Sequence, residues 1–403
     1  MAKISILVPV YNAKDFLYDS IPSLLNQSFK DLEIICVNDG SKDNSLEILN
    51  EFAGRDSRIK VFDKENGGCG SARNYAIEQA TGDYLYFFDP DDLIESDTLE
   101  LAYNSAVKND SDVVIFQANS FVENGTASDD IFFNYTDISE EYYENVPLDM
   151  IRAYVLRGGY APWSKLYKKE FIDAYDDFRF DLGLAFDDVP FHVKTILRAK
   201  KVSYINKILY HYRIDNVNSV NSTSSNGFDI FKIIDKVENI LKEEDYYDVI
   251  LGRFSVFKVC HILFYIISTN SVEYFNMAKE KFKEVDSSFF EDKHNLKRRY
   301  DLVLECDDFE SFKPKYEALL LERELKDLKE KQVNLDSINK ELQDVQLLLN
   351  NEIKSLKKDQ LNLKRNNKKL KKEVKQLRKE KKELSNSKSW KITKPLRKLR
   401  NLF

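Results

Sequence analysis

The chain has 403 residues, 43% hydrophobic and 13% aromatic, enough for one large domain with appendages or for two to three domains. Its net charge of −7 is unevenly held: residues 350–403 carry 20 Lys/Arg against 5 Asp/Glu, and the rest carry 41 against 63. An acidic body of this kind excludes nucleic acid as the expected partner and leaves the basic end as the part suited to an anionic surface.

The first 120 residues alternate between two periods. "KISILVPV" is a β-rich run, followed by a helical pattern over residues 15–27. "LEIICVND" is a second strand and "NSLEILNEFAG" a helix. "RIKVFD" is a third strand, "SARNYAIEQATG" a helix ending at Gly82, and "DYLYFFD" a fourth strand. A helix over residues 98–108 then leads into "SDVVIFQ". Strands separated by helices of this length predict a mostly parallel α/β sheet. In such sheets ligands bind beyond the carboxyl ends of the strands. "PVYN", "VNDGS", "DKENGGCG" and "DPDD" all stand there, so four polar clusters are expected to converge on one crevice. Residues 150–220 are mixed, and residues 228–300 carry Ile, Phe and Tyr at helical spacing.

From Leu321 the pattern changes. Leu321, Leu328, Leu335, Leu342, Leu349, Leu356, Leu363, Leu370, Leu377 and Leu384 recur every seven residues. With these at d, the a layer is Leu325, Gln332, Asn339, Gln346, Ile353, Gln360, Asn367, Val374 and Lys381. That spacing predicts a coiled coil, and Asn at a favours a parallel homodimer. The competing possibility is a solvated single helix of Lys and Glu. The expected divisions are therefore 1–220, a helical module over 221–316, a coiled coil over 317–385 and a basic amphipathic tail over 386–403.

The four cysteines form no CxxC pair, and three lie in apolar surroundings, as buried thiols in a reducing compartment do. The apolar run at 4–10 is too short for a signal sequence. "VFKVCHILFYIIS" is interrupted by Lys258 and His261 and is too short to span a bilayer. The expected location is the cytoplasm, with peripheral contact to the inner face of the cell membrane.

The crevice clusters have readings of their own. Asp89, Asp91 and Asp92 repel one another unless something positive sits among them, and a hard divalent cation takes such oxygens. An Asp-rich turn around Pro90 is the alternative. Tyr11 and Asn12 close the first strand, where an aromatic face can stack on a flat base. Asp39 closes the second, where a carboxylate can accept the imide N–H of uracil; an ordinary Asx turn is the alternative. "NGGCGSARN" follows the third strand with the wrong glycine spacing for a dinucleotide fingerprint. It suits either a structural turn or a helix start that favours phosphate oxygens, with Arg73 one turn in.

Taken together, "SILVPVYN", "EIICVNDGSKDNS" and "NGGCGSARNYAIEQATGDYLYFFDPDD" resemble the family 2 glycosyltransferases of the GT-A fold, over residues 3–220. The resemblance implies an inverting enzyme that moves a sugar from a nucleotide donor, here UDP, to a hydroxyl of a cell-surface glycan or glycolipid. It places Pro9, Tyr11, Asn12, Asp39, Asn66, Gly67, Arg73 and Asp89 on the donor side, with Asp39 at the base. "DPDD" stands where the family has its DXD motif. Asp91 then becomes the direct ligand of Mn²⁺ or Mg²⁺, with Asp89 and Asp92 at the ribose or at metal-bound water. Departure of a diphosphate needs charge neutralisation rather than a proton, which a metal supplies. One protein base suffices, whereas a glycosidase needs two carboxyl groups. That base is Asp188 in "GLAFDDVPFH"; the family usually has Glu-Asp, and this chain has Asp187 in the first place. Arg213 and Ser219 match positions that approach the diphosphate, and His211 either completes the metal shell or packs between Tyr210 and Tyr212. "APWSKLY", with Trp163 and Lys165, resembles an acceptor-side segment. "SNSKSWKITKPLRKLRNLF" resembles a tail of cell-surface glycosyltransferases, a membrane-surface element or a partner-binding helix. Two other functions stay open. One is a catalytically inactive sugar-nucleotide-binding scaffold. The other is a sugar nucleotidyltransferase, although "PVYNAKDFL" lacks the glycines such an enzyme carries there.

Overall fold

The computed structural model describes residues 2–122, 127–133, 135, 138–214, 227–290 and 295–386. They divide into two compact units, with the boundary after Glu317. In chain order the first unit begins β1 (Ile4–Val10), α1 (Leu17–Leu25), β2 (Leu32–Asp39), α2 (Ser45–Arg55), β3 (Ile59–Lys64), α3 (Cys69–Gln79) and β4 (Tyr84–Phe87). It continues with β5 (Leu93–Ile94), α4 (Thr98–Asn109), β6 (Val113–Phe121), β7 (Ala127–Phe132), α5 (Leu148–Ala153), β8 (Lys165–Lys168), α6 (Lys169–Asp173), α7 (Asp188–Arg198) and β9 (Val202–Arg213). Helices α8 (Asp229–Glu243), α9 (Leu251–Tyr265), α10 (Val272–Lys283) and α11 (Leu296–Glu305) follow.

The sheet runs β3-β2-β1-β4-β8-β6-β9-β5, with β7 paired to β6. Its first four strands are parallel, as the alternation predicted. The rest is mixed. β8 enters antiparallel between β4 and β6, and β5 and β7 are antiparallel to β9 and β6. β9 runs parallel to β6 over most of both strands, so the sheet is mostly parallel by length of pairing, and the antiparallel strands are the short ones, whose two to six residues carry too few positions to show a period. β1 and β2 are buried along their whole length, which explains their near-continuous apolar sequences. On one face Ile4, Ile6 and Val8 pack with Leu17, Ile21, Leu49 and Phe52 of α1 and α2. On the other, Phe87 meets Tyr167, Phe180 and Phe191 edge-on, with centroids 5.7, 5.2 and 5.8 Å away.

Helices α8–α11 fall where the helical spacing placed them, and α8 and α9 pack on the sheet domain. Arg198 of α7 bonds Glu244 at 2.6 Å, and the rings of Phe186 and Tyr265 lie 5.5 Å apart. Two cysteines, Cys36 and Cys306, are buried, while Cys69 and Cys260 are exposed, one fewer buried thiol than expected. Among the described residues no helix is long and apolar enough to cross a membrane.

Most of the second unit is one helix, α12 (Phe309–Asn386), which begins just before the boundary. Its heptad leucines are all more than half exposed, from 54% at Leu335 to 64% at Leu321. The basic tail with Trp390, Ile392, Leu396, Leu399, Leu402 and Phe403 lies outside the described residues.

Candidate active site

The carboxyl ends of β1, β2 and β4 carry the expected clusters. Pro9 is buried in β1 opposite Val37 and shapes the strand end from within. Tyr11 follows, 47% exposed, where its ring can meet a planar ligand. Asn12 turns with φ +51° and ties the two strand ends together. It receives 2.7 Å from Lys42 N–H on its side-chain oxygen, and its own N–H donates to Ser41 Oγ at 3.0 Å.

Asp39 is buried at the end of β2, and α3 begins around its carboxylate. The backbone N–H groups of Gly67 and Gly68 donate to it at 3.0 and 2.8 Å, and Lys64 Nζ donates at 2.6 Å. Asn66 Nδ2 donates to the Asp39 carbonyl at 2.8 Å. Asn66 and Gly67 are thus the cradle of Asp39 in this structure. The approach is close: a Cβ on Gly40, which has φ +69°, would sit 2.9 Å from Asn66 N. Lys64 was missed in the sequence, yet the parallel register sets it directly opposite Asp39.

The three carboxylates after β4 part company. Asp92 is fully buried. Tyr210 OH donates to one of its oxygens at 2.5 Å and Arg213 N–H to the other at 2.8 Å. Burial, then the charges of Asp91 and Asp89, pushes its carboxyl well above the usual range. Its place in the structure is to join the β4 turn to β9. Asp89 and Asp91 stay partly exposed, and Arg73 Nη2 donates to Asp89 Oδ1 at 2.8 Å. His211 pairs with Leu93 in β9 and β5. Its Nδ1 lies 2.6 Å from Asn119 Oδ1 and its Nε2 2.9 Å from Glu95 Oε1, so both nitrogens face protein oxygens. Arg213 is buried, its guanidinium 5.2 and 4.6 Å from the rings of Phe16 and Phe121, with Nε donating to the Asp91 carbonyl at 2.8 Å. Arg213 therefore fixes the turn from behind. Ser219 lies outside the described residues.

These contacts decide how a divalent cation would fit. Among the described residues no group of three His, Cys, Asp or Glu is arranged to hold a metal on protein ligands alone. Asp92 and His211 are turned to protein partners away from the crevice, while Asp89, bonded to Arg73, and Asp91 stand partly exposed at it. Two carboxylates suit an ion that takes its other ligands from phosphate and water.

Asp188 opens α7, half-buried, with Asp187 buried just before it. A carboxylate at a helix start gains from the dipole, but burial dominates. It raises Asp188, with Arg73 opposing, and pushes Asp187 up to about 7. Lys165, on β8, is fully buried and donates to the carbonyls of Gly159 and Ala161 at 2.7 Å each. Burial pushes it down to about 7. Trp163 stacks on Tyr210 with centroids 4.2 Å apart and planes 6° apart, so it walls the crevice from inside the core.

Known proteins similar to this chain are glycosyltransferases. The model of "Glycosyl transferase family 2" matches residues 5–153. Glycosyltransferase GlyA of Streptococcus pneumoniae is 35% identical over 223 residues, which is 53% of this chain but 30% of GlyA's length. Glycosyltransferase GlyG of the same organism is 33% identical over 223 residues, 52% of this chain and 70% of GlyG. The crystal structure of S. aureus TarS 1-349 in complex with UDP-GlcNAc superposes with TM-score 0.57 at 22% identity, covering 75% of this chain and 86% of that one, and so shares the fold. With its strand-end clusters, its GT-A sheet and a relative matched over most of its length, the chain belongs to glycosyltransferase family 2.

Proposed function

We propose that the chain is a nucleotide-sugar glycosyltransferase that moves a sugar from a UDP donor to a hydroxyl of a cell-surface glycan or glycolipid, inverting the anomeric carbon. The observation that carries this reading is the role of α3. Its start wraps Asp39, its Arg73 holds Asp89, and the same guanidinium approaches Asp187 beside Asp188. The residues read as uracil reader, diphosphate end and base are thereby all tied to one helix. TarS holds UDP-GlcNAc on the same fold.

In this reading Tyr11 offers its ring to the base, and Asp39 accepts the imide N–H. Asp89 and Asp91 would hold Mn²⁺ or Mg²⁺, which supplies Lewis-acid neutralisation of the departing diphosphate. Asp188 takes the proton of the acceptor hydroxyl as it attacks in line, opposite the leaving group. The test is a panel of nucleotide sugars read by thermal shift and by donor hydrolysis with Mn²⁺. A stabilising shift and hydrolysis with a UDP sugar are expected. A shift without turnover would favour the inactive scaffold, and no shift with any donor would overturn the reading.

We further infer that α12 pairs two copies in parallel and that the basic tail brings them to the inner face of the membrane. The support is the leucine stripe, ten exposed side chains on one face of a helix whose a layer includes Asn339 and Asn367. Residues 321–384 span roughly 95 Å at about 1.5 Å per residue, so gel filtration would overstate the mass. Light scattering should find a dimer for the full chain and a monomer once residues 321–403 are removed. The shortened form should still hydrolyse donor but no longer sediment with anionic liposomes, since each basic residue near such a surface contributes about 1 kcal/mol. A monomeric full chain refutes the pairing, and liposome binding by the shortened form refutes the anchor.

A further inference from the structure

We propose that Arg73 and Asp187 are a positioning pair for Asp188: the guanidinium, fixed to Asp89 at the donor end, sets the carboxylate that precedes the base and with it the start of α7. The inference rests on the glycosyltransferase reading above. Arg73 is buried and lies between two carboxylates, with Nη2 2.8 Å from Asp89 Oδ1 and Nη1 3.6 Å from Asp187 Oδ1. One arm makes a hydrogen bond and the other falls short of one. Both partners are left incomplete, because Arg73 Nε and Asp187 Oδ2 are buried without a hydrogen-bond partner. Buried polar atoms in that condition are costly, and the cost is relieved by movement toward a partner.

The surroundings tie both partners to α3 and to the start of α7. Gly70, one turn before Arg73 in α3, leaves the space that Asp187 occupies: a Cβ there would stand 2.4 Å from Asp187 Oδ2. Asn74 pins the loop ahead of Asp187, donating to the Phe180 carbonyl and accepting from Phe180 N–H, each at 2.8 Å. Phe180 lies 5.2 Å from the Arg73 guanidinium and stacks on Phe191 of α7, with centroids 4.2 Å apart and planes 16° apart. Helix α3 is thereby joined to the start of α7 through packing and through charge. While Asp89 holds Arg73, the second arm stands back from Asp187. A ligand that takes up the negative charge of Asp89 weakens that hold and frees the guanidinium to complete its bond to Asp187. Occupation of the donor side is thus felt at the base.

Three readouts test the pair. Asp187→Asn and Arg73→Lys should each lower turnover by about 10–100-fold, as misplacement of a catalytic group does, and Asp187→Asn should leave the donor KM within about twofold. The double variant should be no worse than the poorer single one, since both remove the same link. Asp187→Glu, which keeps the charge and lengthens the arm, should recover most of the turnover, whereas a purely structural role would leave it as impaired as Asp187→Asn. The third readout needs no acceptor. UDP with Mg²⁺ should slow amide hydrogen exchange over residues 184–192 in the unaltered chain and fail to do so in Asp187→Asn. Additive losses, equal impairment of Asn and Glu, or UDP binding without any change at the start of α7 would each overturn the pair while leaving the glycosyltransferase reading intact. A chain that binds no UDP overturns both.

Discussion

Asp188→Asn should lower turnover by at least about 10²-fold, the scale of a lost general base, while the donor KM stays within about twofold. The substitution keeps size and shape but removes the oxygen that accepts the proton. As the proposed base, Asp188 would work ionised, so activity is expected to fall as pH drops through its pKa. Burial raises that pKa from the ordinary carboxylate value, and Arg73 only partly opposes the shift. The acid limb of kcat/KM is therefore expected above the usual carboxylate range and should vanish in Asp188→Asn. Asp187 beside it is pushed up to about 7 by burial, so the limb belongs to the coupled pair. Comparing the two Asn variants separates them, since Asp187→Asn should displace the limb and Asp188→Asn should erase it. If donor affinity collapses while turnover per bound donor persists, Asp188 stands on the donor side and the assignment is wrong.

The parallel half of the sheet was legible because its strands are long, buried and separated by amphipathic helices, so two periods could be read in alternation. β5 and β8 were not. Leu93–Ile94 and Lys165–Lys168 are strands only because β9 and the pair β4 and β6 offer them edges, a tertiary fact with no local signature. The same distinction divides the site. Asp39, Asp89 and Asp91 could be singled out as polar residues at strand ends, and Asp188 through the family resemblance. Sequence could not show that Asp92 faces inward to Tyr210, or that His211 sits between Asn119 and Glu95, because those partners are 92–118 residues away. Arg73 was assigned to the donor for its place in a helix start. Its burial between Asp89 and Asp187 depends on Gly70 and on a loop more than 100 residues further along.

Asp91→Asn should remove activity, by at least about 10³-fold for a Lewis acid worth several kcal/mol, and leave the fold intact. The reason lies in where the cations of the crevice are already directed. Arg73 bonds Asp89, Arg213 bonds the Asp91 carbonyl, Lys64 bonds Asp39, and Lys165 bonds two carbonyls. Each serves the protein's own oxygens, which fits the proposal that a divalent cation meets the charge of the departing diphosphate. Asp89 shares its charge with Arg73, and Asp92 is closed off by Tyr210 and the backbone of Arg213. Asp91, partly exposed at the crevice, is the proposed direct ligand, so its substitution tests the metal most directly. Because Asp91 is partly exposed, an amide there should fold as well as the acid does, and circular dichroism and the melting temperature should be unchanged. Asp92→Asn is the contrast: it alters a buried hydrogen-bonded group, so it should cost about 1–3 kcal/mol of stability as well as activity. Chelation provides the independent check, with activity lost in excess EDTA and restored by Mn²⁺ or Mg²⁺. Full turnover in EDTA, or an Asp91→Asn enzyme as fast as the unaltered one, would show that the diphosphate leaves without a metal.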